Sequence, residues 1–298
     1  YVIGEPIPSS FLGRIKHDGD VRNLELVTGF QSDQGVIPFE ELHIGDFCLT
    51  TNHIRGIWNR TDTSSIDLYA ESRSQKFREV PTLGFLPEFR LNKYPIIPYH
   101  GLMTANVTDE QGLNYPQSID AKSNQALIYY LHGLCEEFGE SFLVAFNSMG
   151  AGASVNQLHF HTAVLTKNES LPILLAQSPA HYLPNQVFVS STMEPNEMVK
   201  FLGMVNEMSK LDGSIAYTIF MQKPYVYMIP RIHEQHTQMT FSQENQIVPK
   251  RPGAFPLLGM LTLNDPGIFQ DARESPGVYV EQLKREYRNL KQDLSISL

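Results

Sequence analysis

Two hydrophobic periods alternate along this chain. "FLVAFNS" (142–148) is a short unbroken apolar run and predicts a buried strand. "LHFHTAVLT" (158–166) is β-branched and alternating, and follows a glycine-rich turn, so the two runs predict a strand–turn–strand unit. "SIAYTIFMQ" and "YVYMIPR" predict a hairpin about Lys223-Pro224, and "DFCLT" and "SIDLYA" are shorter strand-like pieces. A 3.6-residue period takes over in "SNQALIYYLHGLCEEFGE" (123–140), where Leu127, Leu131, Leu134 and Phe138 share one face before Gly139. It returns in "EPNEMVKFLGMVNEMSKL" (194–211) and in the charged "SPGVYVEQLKREYRNLKQDLS" (275–295), which a Ser275-Pro276 start announces. The segment "LGFLPEFRLNKYPIIPYHGLMTANV" is apolar, broken by Pro87, Pro95 and Pro98, and strand-like towards its end.

Helices mixed with neighbouring antiparallel strands predict an α+β fold. No GxGxxG follows a strand and no GxxxxGK[ST] occurs, so neither a Rossmann nor a P-loop nucleotide site is expected. Three regions are expected: 1–80, to which the pattern assigns no role; 81–180, carrying the histidine strand; and 181–298, a looser version of the same plan packed against it. Two degenerate half-lobes in one compact unit would result.

Composition narrows the function. The 298 residues, 42% hydrophobic and 18% charged, are ample for a large core. A formal charge of −9 disfavours nucleic acid and anionic lipid as partners, though a local site can still be positive. No run approaches the roughly 18 apolar residues of a membrane span, and "YVIGEPIPSS" lacks the form of a signal peptide. Two cysteines, Cys48 and Cys135, form no CxxC, which fits a reducing cytosol. A cytoplasmic protein is expected.

The chemistry gathers in "GAGASVNQLHFHTAVLT" (150–166). Extended backbone would put Gln157, His159 and His161 on one face, with Leu158 and Phe160 on the other. Gly150 and Gly152 would let backbone N–H groups approach an anion, and Ser154 adds a hydroxyl. Three meanings are open for such a pair: polar residues on a half-exposed strand, two ligands of a metal whose third donor comes from elsewhere, or a catalytic histidine beside a phosphate site. His233 and His236 ("RIHEQH") are candidate donors for the second meaning, though nothing in the sequence ties them to this strand.

A second segment, "NKYPIIPYH", gives Asn92, Pro95, Pro98 and His100 in the form N-x-x-P-x-x-P-x-H. With the His-x-His strand downstream, it resembles the histidine-triad and galactose-1-phosphate uridylyltransferase superfamily over about residues 85–170. "SVN" and "LHF" in the strand and the later "PYVYMIPR" look most like the ATP adenylyltransferases (dinucleoside-polyphosphate phosphorylases) and GDP-hexose phosphorylases. The resemblance implies a histidine-triad-like antiparallel sheet. It also implies a nucleotidyltransferase or phosphorylase that attacks the α-phosphate of a nucleoside diphosphate sugar or dinucleoside polyphosphate.

The family's nucleophile falls on His159, the middle position, which would carry the nucleotidyl group as a phosphoramidate. His100 matches the supporting histidine and Asn92 the ribose contact. Asn147, Gly152 and Ser154 match positions near the phosphates. Read from the residues alone, the asparagines are equally turn residues and Ser154 a local cap. The sequence departs from the family at the outer positions: Gln157 stands where histidine is usual, and His161 where transferases carry glutamine. His161 would suit a proton donor, which keeps a nucleotide hydrolase open. The altered triad equally admits a nucleotide-binding protein without turnover. The resemblance implies a small-molecule nucleotide as partner and no required cofactor, with magnesium on the substrate phosphates remaining compatible. No metal is expected at the triad, since Gln157 is a poor zinc ligand and the cysteines are unpaired in sequence. No oligomeric state follows.

Overall fold

The computed structural model describes residues 40–51, 75–76, 87–91, 100–105, 116–119, 131, 133–136, 139, 142–153, 155–164, 188–190, 196–197, 200–201, 203–204, 207, 215–223, 225–232, 247–248, 252–263 and 265–294. Eleven strands are defined among these: β1 (Glu41–Ile44), β2 (Phe47–Thr51), β3 (Gln75–Lys76), β4 (Pro87–Leu91), β5 (Gly101–Ala105), β6 (Phe142–Asn147), β7 (His159–Val164), β8 (Phe188–Ser190), β9 (Ile215–Gln222), β10 (Tyr225–Ile232) and β11 (Met260–Leu263). Three helices close the chain: α1 (Ala254–Leu257), α2 (Pro266–Glu274) and α3 (Pro276–Leu294).

Eight strands form one antiparallel sheet in the order β3-β4-β5-β7-β6-β9-β10-β8. The expected α+β class and antiparallel sheet are therefore found. β6 is buried along its whole length, as its unbroken apolar run requires. β7 lies between β5 and β6. The predicted hairpin is β9–β10, closed by a two-residue connection from Gln222 to Tyr225. Pro87 is the first residue of β4, a position where a missing ladder N–H is tolerated.

Directly opposed residues point to the same side of a sheet, so the register sorts the side chains. One face carries Met103, Val144, Phe146, Phe160, Tyr217, Ile219 and Met221. Helical Leu131, Leu134, Cys135 and Phe201 are also buried. Cys135 Sγ reaches the carbonyl of Met221 at 3.8 Å. Leu131 and Leu134 thus fulfil the face expected for 123–140; Leu127 and Phe138 lie outside the described residues. The other face carries His159, His161, Ala163, Leu143, Ala145, Asn147, Thr218, Phe220, Ile229 and Arg231.

That second face packs on the C-terminal elements. Leu143, Ala145, Ala163, Phe220 and Ile229 share one core with Phe255 and Leu257 of α1, with Leu283, Tyr287 and Leu290 of α3, and with Phe47 and Leu49 of β2. β2 belongs to a separate sheet, β1-β2-β11, in which β2 pairs antiparallel with β1 and parallel with β11. Phe47 stacks on Tyr287 at 5.2 Å, which seats this small sheet on α3. α3 begins at Pro276, as expected. α2 is capped by Asp265, whose carboxylate accepts from Gly267 N at 2.7 Å, with Pro266 at its first position. "SIDLYA" lies outside the described residues.

Candidate active site

β6 and β7 pair from Phe142↔Val164 to Ala145↔His161 and then fork. Beyond the fork, the backbone groups of Asn147 and His159 need other partners, because both residues are buried. The carboxamide of Gln117 supplies them. Its Nε2 donates to the carbonyls of Asn147 (2.8 Å) and His159 (3.0 Å), and its Oε1 accepts from His159 N (2.8 Å). A side-chain amide thus stands where a third strand's peptide group would. The 116–119 segment is itself pinned, with Gln117 N donating to Asn156 Oδ1 (2.9 Å) and Ile119 N to the Tyr217 hydroxyl (3.1 Å).

The fork is where the histidines sit. His159 is buried, and its Nδ1 lies 2.6 Å from the carbonyl oxygen of Gln157. A carbonyl only accepts, so Nδ1 donates, and in the neutral ring the lone pair falls on Nε2. Gln157 departs from the expected strand: β7 begins at His159, and residues 155–157 bend. The bend is what turns the Gln157 carbonyl onto the imidazole two residues on, a contact that extended backbone would direct into the ladder instead.

His161 follows on the same face, its ring 5.4 Å from that of His159 and perpendicular to it. His161 Nδ1 lies 2.9 Å from Nε2 of His100, which is 2% exposed. One of these nitrogens donates and the other accepts. Phe255 of α1 covers the pair edge-on, 4.9 Å from His100 and 6.0 Å from His161. His100, Gln157, His159 and His161 are therefore brought together. Asn92 and Ser154 lie outside the described residues, as do His233 and His236.

The glycine turn closes against the C-terminal half. Gly150 and Gly152 have φ of 82° and 93°, the left-handed region open to glycine. A Cβ on Gly152 would lie 3.1 Å from Gly253 Cα and 3.3 Å from the Pro252 carbonyl oxygen. The close approach that Gly152 permits is thus to the chain's own backbone. Arg231, fully buried, holds both sides: its Nη1 donates to the carbonyls of Ala151 (2.9 Å) and Pro252 (2.7 Å). Asn147 accepts at Oδ1 from the Thr218 hydroxyl (3.0 Å).

Four contributors went unread in the sequence: Gln117, Arg231, Phe255 and Thr104. Thr104 stands opposite His159 across β5–β7, on the histidine face. Its Oγ1 and the Oε1 of Gln157 are buried without a hydrogen bond among the described residues. The alternation of "GLMTA" offered a faint signal for Thr104, but only the strand pairing puts it beside His159. Neither Cys48 nor Cys135 is in a disulfide, and both are buried. Burial pushes the Cys135 thiol far up from its ordinary range.

The antiparallel sheet, with paired histidines at the head of a central strand, agrees with the expected α+β, histidine-triad-like fold. Among solved structures, the chain is similar to yeast Ap4A phosphorylase Apa2 in complex with Ap4A. The identity is 13% and the TM-score 0.51, covering 91% of this chain and 96% of that one. It is similar to the same yeast enzyme in complex with AMP at 14% identity and a TM-score of 0.50, covering 89% and 94%. At these identities the likeness establishes the fold. No family model and no curated protein sequence matches this chain at a significant level. No described helix is long and apolar enough to cross a membrane.

Proposed function

We propose that this chain is a nucleotidyltransferase or phosphorylase whose His159 attacks the α-phosphorus of a dinucleoside polyphosphate or nucleoside diphosphate sugar. The observation that carries the reading is the Nδ1–H of His159 fixed on the Gln157 carbonyl. A nucleophilic imidazole needs its proton held on one nitrogen, so that the other presents a lone pair. Attack forms an Nε2–P bond and breaks the bond from phosphorus to the leaving phosphate or sugar-phosphate oxygen. The ring becomes cationic, and the same carbonyl stabilises it through a charge-assisted hydrogen bond. An acceptor oxygen then displaces the nucleotide and restores the neutral ring. Thr104 Oγ1 and Gln157 Oε1 are buried at the site and suit polar groups of a bound nucleotide. The fold shared with a phosphorylase crystallised with Ap4A and with AMP supports a nucleotide as substrate.

His161 is backed by His100, which suits a proton donor to a poorer leaving group or to an alternative water acceptor. Incubation with Ap4A and with a panel of nucleoside diphosphate sugars, with and without inorganic phosphate, separates these readings. Phosphate-dependent release of a nucleoside diphosphate identifies a phosphorylase; a monophosphate released without phosphate identifies a hydrolase. Intact mass is expected to show one nucleotidyl adduct in the active protein and none in His159→Ala. A His159→Ala protein with near wild-type rate would remove the covalent mechanism. Binding without turnover would leave a nucleotide-binding protein.

A further inference from the structure

The small sheet carries a second cluster of donors, away from β7. On β1 and β2, Leu42, Ile44, Phe47 and Leu49 face the core, so Glu41, His43 and Cys48 fall on the opposite face. His43 and Cys48 are directly opposed across the hairpin, and Glu41 is two residues before His43 on the same strand. A carboxylate oxygen, an imidazole nitrogen and the Cys48 sulfur all come within 4.8 Å of one another. His43 Nε2 and Cys48 Sγ are 3.9 Å apart.

We propose that Glu41, His43 and Cys48 form a three-donor site for a zinc-class divalent cation on this face of the small sheet. With Zn–S near 2.3 Å and Zn–N near 2.0 Å, a tetrahedral edge between them is roughly 3.5 Å, so a shift of a few tenths of an ångström closes the observed pair onto one ion. The mix of one thiolate, one imidazole and one carboxylate suits a borderline-soft ion; magnesium and calcium favour oxygen sets. Burial is graded as an entry path requires: His43 is exposed, Glu41 half-buried and Cys48 buried. The ion would enter past His43, displace the thiol proton to solvent and take water at a fourth position. It would cross-link β1 to β2 at the middle of their four-residue pairing. The expectation of no metal concerned the triad, where Gln157 is a poor ligand and the cysteines are unpaired in sequence; at the small sheet a hairpin supplies Cys48 with neighbours that spacing along the chain cannot.

The test uses the full chain, purified without a histidine tag and stripped with a chelator. Titration with zinc chloride against a chromophoric competitor is expected to give one tight equivalent. Cobalt in its place is expected to show a thiolate-to-metal charge-transfer band. His43→Ala and Glu41→Gln should each weaken zinc by more than the 10–100-fold typical of an outer-sphere change, and Cys48→Ser should abolish the cobalt band. His43 is exposed, so its variant tests the site even if the buried Cys48 variant fails to fold. His159→Ala must leave the stoichiometry unchanged. Absence of a tight equivalent, binding that survives His43→Ala, or binding lost with His159→Ala each overturns the proposal.

Discussion

Replacing Gln117 by methionine keeps nearly the same length and volume but removes the carboxamide from the fork between β6 and β7. Three buried backbone groups then lose partners: the carbonyls of Asn147 and His159 and the N–H of His159. Each such loss costs about 1–3 kcal/mol when nothing replaces the bond. The flanking strands can close partway and form some of their own ladder, so about 3–5 kcal/mol is expected in total, within the stability of most domains. Gln117→Glu is a sharper variant. It retains an acceptor for His159 N but turns a second oxygen towards two carbonyls, so it should be destabilised comparably near neutral pH. Acidification should recover part of the loss, because a protonated carboxyl regains one O–H donor. The assay is urea unfolding followed by circular dichroism, with the change read from the midpoint at constant slope. A methionine variant within about 0.5 kcal/mol of the parent, the range of an inert surface substitution, would refute the view that Gln117 stands in for a missing strand.

Three further outcomes follow from the same geometry. Arg231→Met removes two charge-assisted bonds between the glycine turn and Pro252 and should cost about 3–5 kcal/mol in urea; a loss under about 1 kcal/mol would show that the turn holds itself. Gly152→Ala places a methyl against the Gly253 backbone at a positive φ, so a lowered melting temperature by at least the equivalent of about 1–3 kcal/mol is expected, and an unchanged one would refute the close approach. Burial raises the Cys135 thiol and the Tyr217 hydroxyl above their ordinary 9.0 and 10.0, so the folded chain holds protons that the unfolded chain releases. Stability should therefore be fully kept below about pH 9 and fall as pH rises beyond it, measured by urea midpoints from pH 7 to 11; a flat profile would contradict that burial.

The elements with a single clear period were legible: the buried run at 142–148, the β9–β10 hairpin and α3. The histidine pair was legible as a strand-head motif because its chemistry lies in residues two apart. Gln117 was not, since its role depends on two strands forking 30 and 42 positions downstream, and one glutamine between Pro116 and Ser118 gives no period. Arg231 reads as the charged end of a strand, and only the tertiary fold buries it between two carbonyls. Gln157 was placed on the strand because alternation alone cannot see the bend that its own carbonyl contact with His159 demands. α2 carries a plain Asp265-Pro266 start, yet nine residues with only Phe269 and Ala272 buried make too short a stripe to stand out.

The parallel pairing of β2 with β11 sets an order of events for the growing chain. Thr50 and Leu261, which touch in the small sheet, are 211 positions apart, so the β1–β2 hairpin emerges from the ribosome long before its third strand exists. All eight strands of the large sheet are synthesised by Ile232, while Pro252, Phe255 and α3 are still to come. On that order the histidine face would have nothing to cover it at first, and Arg231 would find only its Ala151 carbonyl. Closing so long a loop adds little entropic cost beyond that of a shorter one, but it delays the step until residues 252–294 arrive. The histidine face would be closed over only when residues 252–294 dock.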